Sequence, residues 1–358
     1  MERVQSKNLF NFPLKGVAEG AIADMDAQIK QIQSSGPPAE IGRKIVELSQ
    51  KDDEESRSQL LAMIRANNAG LSMVMKSVPQ FQEAMNNVST TEFKVSTSHD
   101  GDHDVLVEVY TPQTLLGKSD NVAYVFAHGG GCVSGSANDS KPFLAYTALS
   151  ANIVVFNVDY RLAPEAKCPN NVKDFYEAVK YVCLNAEKLC IDPKKICMAG
   201  ESGGGYVCLG ACVMLAQNNE SHLIKLALPI ICMVDDYAFS DPKAMTMEER
   251  NNHTVMRQVW KIIAADITEQ AEDPLLFPGK ATDEILAKFP PTIVVEGEFD
   301  MFITSATRLA RRLRRAGRLL EFVLFPGVTH AICLWPAFRM SDMFDGTFKQ
   351  ALQEYLHK

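Results

Sequence analysis

Ser202 stands within Gly200-Glu201-Ser202-Gly203-Gly204, after a short strand-like run, Lys195 to Ala199, and before a helix-like run, Tyr206 to Leu215. A serine on so sharp a strand-to-helix turn takes a strained backbone conformation, and flanking glycines remove the side chains that would collide. Its Oγ then stands exposed above the sheet, with a helix N-terminus behind it to favour developing negative charge. This arrangement prepares nucleophilic attack on a carbonyl. Gly and Ser also mark ordinary turns, so the five residues alone leave a structural turn open. The strand before and the helix after favour the nucleophile.

A second glycine cluster supports the same chemistry. The strand-like run Asn121 to Ala127 ends directly in His128-Gly129-Gly130-Gly131. Acyl transfer passes through a tetrahedral oxyanion, and a glycine-rich loop can aim backbone N–H groups at it without side chains in the way. The expected donors are the N–H groups of Gly130 and Gly131, with that of Gly203 beside the nucleophile. His128 and Gly129 are expected to shape the loop. A phosphate cradle or a plain turn competes with this reading, yet no Lys-Ser/Thr pair follows the glycines as a P-loop requires.

A serine needs a base, and His330 is the histidine placed at a strand-end turn downstream, after Leu320 to Phe325 and Pro326-Gly327-Val328-Thr329. His222, His253 and His357 sit in polar surroundings and read as solvated. His99 and His103 lie in Ser98-His99-Asp100-Gly101-Asp102-His103-Asp104, a cluster that can be read as a metal site but whose Asp and Gly content a solvated hairpin turn explains. The base in turn needs a carboxylate to fix its tautomer. The buried-strand pattern Pro291 to Val295 is followed by Glu296, Glu298 and Asp300, of which Asp300 is best placed. Asp235 and Asp236, after the apolar run Leu226 to Val234, are the competing pair. With Asp300 the chain order is Ser202, Asp300, His330, the order of α/β-hydrolases.

His128-Gly129-Gly130-Gly131, Asp159-Tyr160-Arg161-Leu162-Ala163-Pro164-Glu165 and Gly200-Glu201-Ser202-Gly203-Gly204 together resemble the hormone-sensitive lipase group of α/β-hydrolases, from about Ser89 onward. The resemblance implies carboxylic ester hydrolysis through an acyl-enzyme, with triad and oxyanion groups on the positions above and a cap over the pocket. It also implies no metal and no organic cofactor. Two departures stand out. The group usually carries Asp or Thr before the serine and Ala after it, where this chain has Glu201 and Gly203, a variant similar to that of brefeldin A esterase. The usual Asp-Pro-Leu-Arg-Asp run around the acid is here Asp300-Met301-Phe302-Ile303-Thr304, without the Arg and the second Asp. The Asp159 to Glu165 motif follows the apolar run Ile153 to Val158; its Asp and Arg can pair locally, and it is expected to position a loop. A non-catalytic small-molecule receptor of the same fold is the leading alternative, and the gibberellin receptors that show this use lack the catalytic histidine. An amidase, lactonase or transacylase would use the same machinery.

The elements that must hold these residues alternate strand and helix after Ser89. Strand-like runs near 91–98, 105–111, 121–127, 152–158, 195–199, 226–234, 291–296 and 320–325 predict an α/β fold with a mostly parallel eight-stranded sheet and helices on both faces. Residues 1–88 read as an N-terminal helical cap region. Ala18, Ile22, Met25, Ile29 and Ile32 give one apolar stripe before Gly36-Pro37-Pro38. Residues 89–358 read as the catalytic domain, with a cap insertion at about 235–288 that holds a helix-like stretch from Met247 to Ala264. Phe10, Phe12, Leu14, Met63, Met73, Met75 and Met85 are expected to offer an adaptable apolar wall for short to medium acyl groups.

Composition excludes several classes. A formal charge of −8 argues against nucleic acid as a partner. The nine cysteines are odd in number and fall mostly in apolar runs, so they read as small core residues in a reducing compartment. No apolar stretch approaches the roughly 18 residues of a membrane span, in contrast to anchored relatives resembling arylacetamide deacetylase. The expectation is a cytoplasmic enzyme acting on a small-molecule ester, with oligomeric state left open.

Overall fold

The structure, a computed structural model, describes residues 39–236, 247–325, 330, 355 and 356. The apolar stripe from Ala18 to Ile32, Phe10, Phe12, Leu14 and His357 lie outside the described residues.

Among the described residues three helices precede the sheet: α1 (Ala39–Ser49), α2 (Glu54–Ser77) and α3 (Pro79–Asn87). Asp53 starts α2 by accepting from Ser56 N through its side chain, which satisfies one of the free amides of the first turn. The sheet follows as β1 (Val88–Thr97), β2 (His103–Pro112), β3 (Asn121–Ala127), β4 (Val154–Asp159), β5 (Ile191–Glu201), β6 (Leu226–Ile230), β7 (Thr292–Gly297) and β8 (Leu319–Phe325). Between strands run α4 (Ala137–Ala151), α5 (Asn170–Leu184), α6 (Gly203–Gln217), α7 (Met247–Ile263), α8 (Asp283–Ala287) and α9 (Ile303–Arg315).

The spatial order is β1-β2-β4-β3-β5-β6-β7-β8. β1 and β2 form an antiparallel hairpin and β2 pairs antiparallel with β4; all later pairs are parallel. This is the mostly parallel eight-stranded sheet of the α/β-hydrolase fold. β3 lies at its centre with all seven residues buried. Ala123, Val125 and Ala127 enter one core, with Val207 and Leu215 of α6 and Leu309 of α9. Val122, Tyr124 and Phe126 enter the other, with Phe81 of α3 and Leu144 of α4. The two-residue period thus buries both faces of the strand, as a parallel sheet between helix layers requires.

The strand order reverses direction around β3 and β5. The connection through α4 leaves β3 one way, and the connection through α6 leaves β5 the other. A crevice opens at such a switch point, at the carboxyl ends of the strands. One strand is shorter than its apolar pattern. The run to Val234 stops being strand at Ile230, because Ile231 turns to φ 40° and sends its N–H to Val295 O (2.7 Å).

Candidate active site

The switch point places the two glycine clusters side by side. Ser202 follows β5 and caps α6 at φ 52°, ψ −115°, a conformation that costs a non-glycine residue about 1–3 kcal/mol unless its surroundings fix it. They do so by hydrogen bonds. Ser202 N donates to Ile230 O (2.9 Å), and Ser202 O accepts from Tyr206 N (3.1 Å) and Met233 N (3.3 Å). The turn is also too close-packed for side chains at its flanks. A Cβ on Gly200 would lie 2.2 Å from Gly204 O, and one on Gly204 would lie 2.0 Å from Ala127 O.

His330, which follows β8, stands over the serine. Ser202 Oγ and His330 Nε2 are 2.9 Å apart, and His330 Nδ1 and Asp300 Oδ2 are 2.8 Å apart. With Nδ1–H donating to Asp300, Nε2 carries the lone pair that accepts from the Ser202 hydroxyl. Burial alone would push the His330 ring below its ordinary pKa; the charge and hydrogen bond of Asp300, aided by Glu201, outweigh it and raise the pKa. Asp300 is buried, and its Oδ1 accepts from Phe302 N (2.8 Å). Ile303 N adds a bond to Asp300 O (3.2 Å). The acid loop is therefore braced by its own backbone, which answers for the missing Arg and second Asp.

The competing carboxyls go elsewhere. Asp235 lies 4.0 Å from Arg308, and Asp236 and Glu298 are exposed. Glu296 Oε1 accepts from Cys232 N (2.9 Å). Burial first and the charge of Asp300 second push the Glu296 pKa well above the carboxylate range, which favours its neutral form. Glu201, just before the serine, is raised to about 7 by burial.

The loop after β3 faces the serine. Gly130 (φ 107°) and Gly131 (φ 63°) take left-handed conformations, and a Cβ on Gly130 would lie 2.1 Å from Ser134 O. Among the described residues, the N–H groups of Gly130, Gly131 and Gly203 have no protein acceptor. The departure to glycine at 203 has a local reason. A Cβ there would sit 2.6 Å from both Gly131 N and Cys132 N. His128 stacks on Tyr160 at 4.3 Å and its Nδ1 donates to Gly129 O (2.8 Å), while Tyr160 O–H donates to His128 O (2.7 Å). Tyr160 belongs to the Asp159 to Glu165 motif, and Ala163 N reaches Cys132 O (2.8 Å). That motif props the glycine loop from behind.

A cavity of about 350 Å³ opens over these groups, walled by Ile64 and Met75 of α2, Val255, Met256 and Val259 of α7, and Phe302. Of the methionines expected to form its wall before β1, Met75 does so. Met73 is 75% exposed, and Met85 of α3 is partly buried against the core. Helical phase, set by how α2 docks, decides which of its methionines faces inward. Sequence reasoning missed Arg65. Its Nε donates to Val133 O (2.8 Å), and its Nη groups to Ala163 O (3.1 Å) and Glu165 (2.7 and 2.9 Å), strapping α2 to the glycine loop. It also missed the surroundings of His99 and His103, which are half-buried against α5 rather than solvated.

Fold and site together define an α/β-hydrolase-fold protein with a serine, a histidine and an aspartate in hydrogen-bonded series. The family described as the α/β-hydrolase fold matches residues 124–334, and the chain belongs to it, within the hormone-sensitive lipase and carboxylesterase group. It is similar to carboxylesterase NlhH of Mycobacterium tuberculosis, 29% identical over 243 residues that cover 66% of this chain and 73% of that one. It is also similar to the ethyl acetate hydrolase of Pseudomonas putida, 27% identical over 65% of this chain and 73% of that one. Among solved structures it resembles a bacterial heroin esterase, with a TM-score of 0.69 at 27% identity over 82% of this chain and 90% of that one. No helix among the described residues is long and apolar enough to cross a membrane.

Proposed function

We propose that the protein hydrolyses carboxylic esters through an acyl-enzyme on Ser202. The observation that carries this reading is the continuous series Ser202 Oγ, His330 Nε2, His330 Nδ1, Asp300 Oδ2, with separations of 2.9 and 2.8 Å, at the floor of an open cavity. His330 takes the serine proton as Ser202 attacks the ester carbonyl, then donates it to the leaving alcohol. The developing oxyanion lies against the N–H groups of Gly130, Gly131 and Gly203, which have no protein acceptor to give up. Water, deprotonated by His330, then releases the acid. Asp300 holds the Nδ1–H tautomer throughout. No metal or organic cofactor enters these steps. The names of the carboxylesterase and ethyl acetate hydrolase relatives support an ester over other acyl substrates. The mostly apolar cavity wall supports short to medium acyl chains, and residues 1–88 with the 235–288 insertion are its proposed cap.

Replacing the nucleophile tests this reading. Ser202→Ala is expected to lose p-nitrophenyl ester turnover by several orders of magnitude and to lose labelling by a fluorophosphonate, with an unchanged circular dichroism spectrum. Turnover near that of the natural protein would remove Ser202 from the chemistry. A folded natural protein that neither labels nor turns over esters would favour a receptor of the same fold.

A further inference from the structure

The strands that present the catalytic groups at their carboxyl ends run parallel, so they begin together at the opposite edge of the sheet. Four neighbours there each begin beside a cation. Lys194 lies near the start of β5, Lys225 directly before β6, Lys288 shortly before β7 and Arg318 directly before β8. We propose that these four side chains form a binding site for a multiply charged, phosphate-bearing anion, at the edge of the sheet away from Ser202. They line one depression of about 530 Å³, together with Ser221 and the buried Phe289. That volume lies in the range of small-ligand pockets.

The backbone fixes where these side chains start and leaves their charged ends open. Lys225 N donates to Ile196 O (3.0 Å), Ala227 N to Pro291 O (2.8 Å) and Thr292 N to Arg318 O (2.8 Å), so the strand starts are tied to one another. Adjacent strands lie about 4.8 Å apart, which brings successive side chains within reach of one run of phosphates. Among the described residues neither the Lys194 nor the Lys225 ammonium has an ion pair or a side-chain hydrogen bond. Arg318 gives Nε–H to Ala287 O (2.6 Å) and keeps both Nη groups for the paired contact that a guanidinium makes with phosphate. Lys288 pairs with Glu284 at 3.6 Å, but that acid is 83% exposed and water screens such a contact strongly.

Two further observations point to an anion. The chain carries a formal charge of −8, so four cations gathered at one edge run against its overall sign and repel one another until a counter-charge arrives. The adjoining Asp192 does not supply it. Its Oδ1 accepts from Lys194 N (2.8 Å), and its Oδ2 lies 3.3 Å from Lys195. The second observation is Ser221 Oγ, which is buried in the lining with no hydrogen-bond partner among the described residues. A buried hydroxyl without a partner is costly, and a phosphate oxygen is an acceptor for it. A single negative charge leaves most of the four cations unanswered, so the site suits an anion that carries several.

The test uses the full chain at low ionic strength. It is titrated by calorimetry with inorganic triphosphate and with inorganic phosphate, and sedimented with phosphatidylcholine vesicles that contain or lack phosphatidylinositol bisphosphate. The expected result is saturable binding of one triphosphate per chain, weaker binding of phosphate, and a loss of affinity as salt is added. In Lys194→Gln/Lys225→Gln the triphosphate should bind at least about tenfold more weakly, because charge-assisted contacts are lost. A control pair on α1, Lys44→Gln/Lys51→Gln, removes the same charge and should bind as the natural chain does. Retention on the bisphosphate vesicles alone, reversed by triphosphate, assigns the anion to a lipid headgroup; triphosphate binding without vesicle retention assigns a soluble one. Equal affinity in Lys194→Gln/Lys225→Gln and the natural chain overturns the site. So does equal weakening in the control pair, or a folded natural chain that binds neither triphosphate nor vesicles. Ester turnover is not the readout, so failure of the catalytic assignment and failure of this site are separately visible.

Discussion

Glu296 and Asp300 leave β7 close together, yet their surroundings give them different work. Glu296 is sealed against Cys232, where burial raises its pKa, whereas Asp300 accepts from His330 Nδ1 and Phe302 N. Asp300→Asn is therefore expected to lower kcat by about 10³- to 10⁴-fold, as loss of a triad carboxylate does elsewhere. Glu296→Gln, a near-isosteric change at a carboxyl that does not contact His330, should stay within a few-fold; the reverse ranking in steady-state kinetics would move the acid. The pH profile follows from His330. Protonated His330 cannot accept the serine proton, so kcat/KM should rise with pH. Because the folded pKa is raised, the midpoint should lie above the free-imidazole value of about 6.5. The charge of Glu201 contributes to that rise, so Glu201→Gln should move the midpoint to lower pH. An activity plateau reaching below pH 5 would identify a different base.

At the scale of elements, the α2 strap is the feature whose loss should be felt in the chemistry without any contact to substrate. Arg65→Ala releases Val133 O, Ala163 O and Glu165 together, and the glycine loop loses its outer brace. A displacement near 1 Å of catalytic groups costs up to about 100-fold, so a 10- to 100-fold fall in kcat is expected. Arg65→Lys should recover only part, because an ammonium cannot reproduce the planar fork. Unchanged kcat in a folded Arg65→Ala protein would show that the loop holds itself. The strap was not legible in the sequence, since nothing local marks Arg65 as the partner of a loop far along the chain. The serine turn was legible because its requirements are local: a strand, glycines where side chains collide, a helix. The end of β6 was not, because Ile231 leaves the strand to answer Val295 on a neighbour. His99 and His103 were legible as a hairpin turn but not as neighbours of Asp174, which arrives from α5.

For the molecule as a whole, two helices distant in the chain, α2 and α7, contribute much of the cavity wall. Substrate length should therefore respond to changes that leave the sheet alone. Met256→Trp narrows the cavity from the α7 side and is expected to reduce kcat/KM for a p-nitrophenyl octanoate about tenfold or more relative to the acetate, in line with about 1–3 kcal/mol for small misfits in an apolar pocket. Equal effects on both esters would place the acyl chain elsewhere.

Ser202, Asp300 and His330 follow β5, β7 and β8, with β6 lying between the first two strands. No one segment brings them together, and each parallel pairing joins residues distant in the chain. Pairings of that kind form late and slowly compared with helices. During refolding, helical signal should return before catalysis does, and the first molecules to turn over ester are those whose sheet has closed its last parallel pair.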